Sequence, residues 1–337
     1  MRQNASGALT SLAIVAAAFA ALLVYVVVKT DGDWALFFQL SVNGVTLGSV
    51  YALIALGYSM VYGILKLLNF AHGDVYMVGA FVGFGVLTIF GGPLNPTLPV
   101  WLLVVTMLTV AMVACGGLGV LIERFAYRPL RDAPRIAPLI SALGVSFFLQ
   151  NSMLLLVGAD FRDYNPFDLI GLEGVDVGPV FISRIRIIVV ATAIALMIVL
   201  TLLVARTRIG KAMRATSFDR EAAMMMGIDT DRVIAATFFI GSALAGAAGV
   251  MFGLVFSQIF HFMGFLAGLK GFTAAVVGGI GSIPGAMLGG LLVGLTEAYA
   301  TGYASGNWAD LIVFSLLVLV MLFRPSGLLG TPAIQKV

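Results

Sequence analysis

Charge is what this chain has least of. Asp, Glu, Lys and Arg together make up 10% of its 337 residues, where soluble proteins carry about 25%. It has one cysteine, Cys115, inside an apolar run, so no disulfide framework exists. Two histidines beside that cysteine are too few for a structural or catalytic zinc site, and no metal is expected. No Gly-x-x-x-x-Gly-Lys-[Ser/Thr] loop occurs. The chain therefore does not cradle nucleotide phosphates in that way, and no cofactor of its own is expected. The net charge of +3 is not pooled on one face, which argues against a nucleic-acid partner.

What the chain has is apolar length. Hydrophobic residues make up 61% of it, and Ala8–Val28 carries no charge at all. A hydrocarbon layer ~30 Å thick needs ~20 apolar residues of helix to cross it. Ten spans are read, at about 8–28, 36–63, 74–92, 99–122, 137–157, 187–205, 233–256, 266–281, 284–303 and 308–323. The fold class is an all-α polytopic membrane protein in contact with lipid. Ala8–Val28 follows Arg2, and Ala18-Phe19-Ala20 resembles a cleavage motif. The run exceeds a signal core of ~7–15 residues, which favours a retained helix. The spans 266–281 and 284–303 are short, glycine-rich and separated by Ser282-Ile283, so two crossings and a re-entrant pair both stay open.

Fourteen of the nineteen Lys and Arg fall on one side of this map, so both chain ends are expected on the cytoplasmic side. The loop 158–186 then lies outside, and 206–232, with six bases and four acids, lies inside. Span 2 (Gly44, Gly48, Ala52) and span 7 (Gly241, Ala245, Gly249, Gly253) both carry small residues every fourth position. They cross in opposite senses, which suggests an inverted repeat of spans 2–5 and 7–10.

Polar groups at membrane depth mark candidate sites. Asn69, His72 and Asp74 stand in the densest polar stretch, between spans 2 and 3. It reads either as a gate or as a turn in which Asn69 caps the next helix. Lys270 and Glu297 are costly in lipid and are expected to neutralise each other. The break around Gly278–Gly285, with Thr273, Gly279 and Ser282 beside it, offers backbone donors for a polar ligand or forms a tight turn. Gln150, in span 5, and Tyr51, Tyr58 and Tyr62, along span 2, face either a lumen or neighbouring helices. In the inside loop, Glu221–Met226 is expected to be a short helix stopped by Gly227. Its three consecutive methionines suit a docking surface on a partner, and the alternative is an amphipathic loop helix lying on the lipid surface.

Several of these segments together resemble the branched-chain amino-acid ABC importer permeases, and the H-type subunit more than its M-type partner. They are Asn43–Leu53, Val61–Ile64, Asn69–Asp74, Glu123-Arg124, Tyr127–Leu130, Phe272–Val276 and Gly278–Gly285. The stretch Arg220-Glu221-Ala222-Ala223-x-x-x-Gly227 resembles the cytoplasmic coupling motif of bacterial ABC importers. Thr237-Phe238-Phe239-Ile240 stands where that motif's longer form ends in Ile-x-Leu-Pro. The resemblance covers about residues 36–337. It implies a permease domain over 36–330 with its coupling loop at 206–232, preceded by an extra helix within 1–35 and followed by a cytoplasmic tail, 331–337.

The same resemblance implies partners: a homologous second permease, two ATPase subunits that bind the ATP, and a periplasmic binding protein. The substrate it implies is a small hydrophobic amino acid such as leucine, isoleucine or valine, with urea or short amides as the alternative. An ion channel would need a repeated polar filter or rings of charge, and neither is found. An intramembrane enzyme would need a nucleophile and base in reach. His72 with Asp74 has no obvious partner serine, so the chain itself is expected to catalyse nothing.

Overall fold

The computed structural model describes residues 24, 28–30, 32–90, 98–131, 133–134, 136–164 and 173–330. Apart from Val24 and Val28, the first expected span (8–28) lies outside the described residues, as does the 331–337 tail. Eleven helices follow in chain order: α1 Trp34–Leu65, α2 His72–Phe90, α3 Val100–Ile122, α4 Ile136–Val157, α5 Arg184–Arg206, α6 Arg208–Phe218, α7 Arg220–Met225, α8 Thr230–Phe256, α9 Met263–Gly278, α10 Ile283–Tyr299 and α11 Gly306–Phe323. A π turn at Glu123–Tyr127 and a 3-10 turn at Arg128–Leu130 continue α3, and a π turn at Ala300–Ala304 continues α10. Among the described residues there are also four short strands: β1 Arg162–Asp163, β2 Gly174–Val177, β3 Val180–Ser183 and β4 Gln258–Ile259.

Eight of these helical segments are long and apolar enough to cross a membrane, and α9 is a shorter apolar helix of 16 residues. The protein is a polytopic, all-helical membrane protein. Helix ends follow local chemistry. Asp33 accepts from the Leu36 amide at 3.0 Å to start α1, and Asp229 from the Arg232 amide at 3.1 Å to start α8. Ser282 accepts from the Gly285 amide at 3.2 Å, with Pro284 in the first turn of α10. Each meets an amide that has no partner within the helix.

Two ends of the bundle can be told apart. The basic end holds Lys66, the π turn of α3, α6, α7 and the start of α8. The strand end holds β1 paired antiparallel with β4 and the hairpin of β2 with β3. The helix α9 runs from β4 to the turn at Gly279–Ser282, which meets Gly63 near the basic end of α1. It thus joins the two ends as a crossing, not as a re-entrant loop. At ~24 Å it is short for the layer.

The centre is built from α1 and α8. The most apolar window of each is 89% and 78% buried, against 22% for α4, α5 and α11. Burial here means contact with other helices, because lipid is as apolar as leucine and supplies no hydrophobic drive between them. Close approach supplies it instead. Gly294 lies flush against Gly48 and Gly290 against Ala52, where α10 crosses α1; Gly79 meets Gly246 where α2 crosses α8.

The inverted repeat appears in this packing. As α1 packs on α10, α8 packs on α3; α8 meets α2 as α1 meets α9; and α2 meets α3 as α9 meets α10. The caps agree. Lys66 after α1 and Ser257 after α8 are the only non-glycine residues among those described with positive φ, at 55° and 66°. The next helix of each half begins at His72 and at Met263, the same distance beyond each cap.

Candidate functional site

At the strand end a cavity of about 520 Å³ opens between α1, α8, α9 and α10. One wall is apolar, with Phe252, Val255, Phe256, Phe260, Met263 and Leu266. The floor is charged. Tyr51 Oη donates to Glu297 Oε2 at 2.9 Å, and Lys270 Nζ donates to Glu297 Oε1 at 2.7 Å. Lys270 Nζ also lies 2.7 Å from Asp310 Oδ1 at the start of α11. The Lys270 and Glu297 side chains are only 10% and 15% exposed. One cation between two carboxylates leaves the cluster net negative; Lys270 and Glu297 line the cavity, and Asp310 meets Lys270 from α11. An isolated charge at the centre of the bilayer costs about 3 kcal/mol on insertion scales, so each member needs the others there.

Near the mouth stands the opposite sign. Arg186, in the first turn of α5, lines the cavity and donates to Asn43 Oδ1. Gln39 Nε2 donates to the same oxygen at 3.4 Å, and Gln39 Oε1 accepts from the Phe181 amide at 3.2 Å. The β2–β3 hairpin is thereby tied to the cavity mouth.

Three of the pathway residues expected from sequence, Tyr51, Lys270 and Glu297, thus meet in one place. Asp74 and Gln150 meet in another, between α2 and α4. Asp74 accepts from Ser146 Oγ at 2.5 Å and from Gln150 Nε2 at 3.0 Å. His72 is buried and turns its ring edge to Tyr58 at a centroid distance of 4.8 Å. Asn69 lies before α2 and does not cap it; its side-chain oxygen accepts from Tyr127 Oη at 3.2 Å instead. Thr273 is fully buried and donates its hydroxyl to Leu269 O in its own helix. The three tyrosines of α1 part company, because Tyr62 leaves the core and stacks beneath Lys66 at 5.9 Å.

Gly279 and Ser282 lie in the turn at the basic end of α9, away from the cavity. Gly279 and Gly281 take φ of +115° and +88°, values that favour glycine. Two carbonyls of this elbow are engaged from within the chain, since Leu328 N donates to Val277 O and Leu329 N to Gly278 O.

The inside-loop helix forms as expected, as α7, between an Asp219 cap and Gly227 at φ +80°. Ala223 packs inward, while Glu221 and Ala222 are exposed. Phe218, Met225 and Met226 are 89%, 88% and 82% exposed. Asp310, Arg186 and Asn43 carry no such signal in the sequence. Arg186 and Asp310 lie near helix starts and Asn43 lies within α1, and only tertiary packing brings Asn43 and Arg186 to the cavity and Asp310 to Lys270.

A family model described as "Branched-chain amino acid transport system / permease component" matches residues 40–322. The chain is 43% identical over 304 residues to "High-affinity branched-chain amino acid transport system permease protein BraD" of Pseudomonas aeruginosa, covering 89% of this chain and 98% of that protein. It is 45% identical over 309 residues to the permease protein LivH of Escherichia coli K12, covering 89% of this chain and 98% of that one. To the permease protein LivM of the same organism it is 28% identical over 313 residues, covering 86% of this chain and 70% of that one. The chain is a membrane transport permease, and it belongs to the branched-chain amino acid transport permease family.

Proposed function

We propose that this chain is one of two permease subunits of an ATP-driven importer and that it passes small hydrophobic amino acids of the leucine, isoleucine and valine class. The observation that carries the reading is the cavity, with an apolar wall, a negative floor and a cation near its mouth. An amino acid has matching parts. Its carboxylate suits Arg186, its ammonium suits Glu297, and its apolar side chain suits Phe252, Val255 and Met263. Asn43 and Tyr51 stand eight residues apart on α1, a rise of ~12 Å. That exceeds the length of one amino-acid backbone, so the substrate meets the two charges in turn, Arg186 on entry and the floor afterwards. Urea would leave the apolar wall unmatched.

The cavity wall is incomplete. Phe256 and Leu266 line it yet remain 44% and 43% exposed. A second, homologous permease supplies the missing side, a reading the likeness to LivM supports. At the basic end, taken as cytoplasmic, α7 seats in an ATPase subunit through Phe218, Met225 and Met226. A soluble binding protein delivers substrate at the strand end. The mechanism is alternating access. The Tyr51–Glu297–Lys270–Asp310 floor is closed here, and ATP-driven movement of α7 opens it while the mouth closes. The Asn69–His72 turn and the Asp74–Gln150 pair lie towards the inner side of that path. The chain supplies no catalytic group.

The test uses the chain with its ATPase, second permease and binding protein in liposomes. ATP-dependent leucine uptake is expected, competed by isoleucine and valine and not by urea or acetamide. Uptake of leucine without ATP, or preference for urea, overturns the reading. The variant Glu221→Arg is expected to remain in the membrane and to lose ATP-driven uptake; normal uptake removes the docking role of α7.

A further inference from the structure

Asp231 stands in the first turn of α8 and gathers three guanidinium groups. Arg131 Nη1 lies 2.5 Å from its Oδ1, Arg128 binds its Oδ2, and Arg220 Nη2 of α7 lies 3.9 Å from Oδ1. Arg131 also binds Glu123, and these two side chains are only 5% and 3% exposed. Glu123 opens the π turn of α3. From the far side of that turn, Tyr127 Oη donates to Leu68 O at 3.0 Å and to Asn69 Oδ1 at 3.2 Å, both in the link between α1 and α2.

The contacts differ in strength along this chain of groups. Glu123 and Arg131 are buried, and removing either leaves an uncompensated charge, so their pairing is firm. Arg220 and Asp231 are 40% and 38% exposed and meet at the outer limit of an ion pair, so that contact is weak and readily remade. A π turn is a site where a helix changes register with little disruption, and such turns recur at functional places. The arrangement is a firm joint with one loose arm, and the loose arm is on the helix that faces the cytoplasmic partner.

We propose that Asp231 is a positioning residue, the joint through which movement of α7 reaches α3 and α8 and, by way of Tyr127, the Asn69 turn that precedes Asp74. The assignment rests on the reading that α7 docks the ATPase. The chain of contacts by itself is spatial; what establishes a joint is a change in coupling.

The experiment measures leucine uptake, ATP hydrolysis and co-purification of the ATPase subunits for the full complex in liposomes. With Asp231→Asn, transport per ATP is expected to fall about ten-fold, with hydrolysis and co-purification within about two-fold of the parent. Asp231→Glu, which keeps the charge, is expected to restore most of that ratio. A merely structural role would lower uptake and hydrolysis together, and that parallel loss overturns the proposal, as does an unchanged ratio. Loss of the ATPase subunits on purification overturns it too, since Asp231 would then serve the dock alone. Tyr127→Phe keeps the buried ring and removes both hydrogen bonds to the Asn69 turn. It is expected to lower the ratio about three-fold, and an unchanged ratio ends the link to that turn even if Asp231→Asn does not fold. Failure of the docking reading shows separately, as normal uptake by Glu221→Arg.

Discussion

Where α1 crosses α10, Tyr51 meets Glu297. At the counterpart crossing, where α8 meets α3, Ser242 meets Gly119. Aligning the two left-handed caps, Lys66 and Ser257, pairs Tyr51 with Ser242 and Gly79 with Lys270. The crossings of α1 with α9 and α10 therefore carry a phenol, a lysine and a glutamate around open space. The crossings of α8 with α2 and α3 carry a hydroxyl and glycines pressed together, with Gly79 against Gly246. The backbone plan is shared, and side-chain size decides which set of crossings holds a cavity. Small residues let the backbones close until no space is left, while long charged ones hold them apart and must then find partners.

The comparison breaks most severely if the two furnishings are exchanged. Gly79→Lys puts a long charged chain where backbone already touches backbone, adding overpacking of about 1–3 kcal/mol to an unpaired charge costing about 3 kcal/mol. The chain is expected not to accumulate in the membrane, as an immunoblot of membrane fractions would show. Accumulation at parental level would mean that this crossing is looser than its glycines imply.

Lys270→Met comes next. It strands Glu297 with only Tyr51 as a donor and is expected to cost about 3 kcal/mol or more, with a lower Tm in detergent and uptake below about a tenth of the parent. Adding Glu297→Gln is expected to recover the Tm but not the uptake. Recovery of both would make the pair a structural device with no part in the pathway.

The smallest effect separates the two hydroxyls. Tyr51→Phe removes one hydrogen bond to a carboxylate, worth about 1.5–3 kcal/mol, and is expected to slow uptake several-fold. Ser242→Ala, at the matching place, is expected to change neither Tm nor uptake by as much. Equal effects would erase the functional difference between the two crossings.

Much of this fold is written in hydropathy. The expected spans 36–63 and 137–157, for example, fall within three residues of Trp34–Leu65 and Ile136–Val157, because apolar length is the quantity the layer selects. The pairing of Lys270 with Glu297 was legible because two opposite charges at membrane depth have few alternatives. Asp310 was not. It sits at the start of α11, where a charge is unremarkable, and only packing of α11 beside α9 brings it to Lys270. Arg186 is the last residue of the loop 158–186, and its place at the cavity is not legible in the sequence, since periodicity reports a helix face and not the helix opposite. Asn69 misled in a smaller way. Its position before α2 suits a cap, yet Tyr127 from α3 claims its oxygen.

The amides of Leu328 and Leu329 meet the carbonyls of Val277 and Gly278, and this sets an order of events during synthesis. A ribosome that has delivered α9 and α10 leaves that elbow with two polar groups still to be satisfied, and such groups are costly to bury alone. Only after α11 has been inserted does the chain supply the missing donors. The elbow between α9 and α10 is thus latched by the segment that follows α11, made after both of the helices it joins.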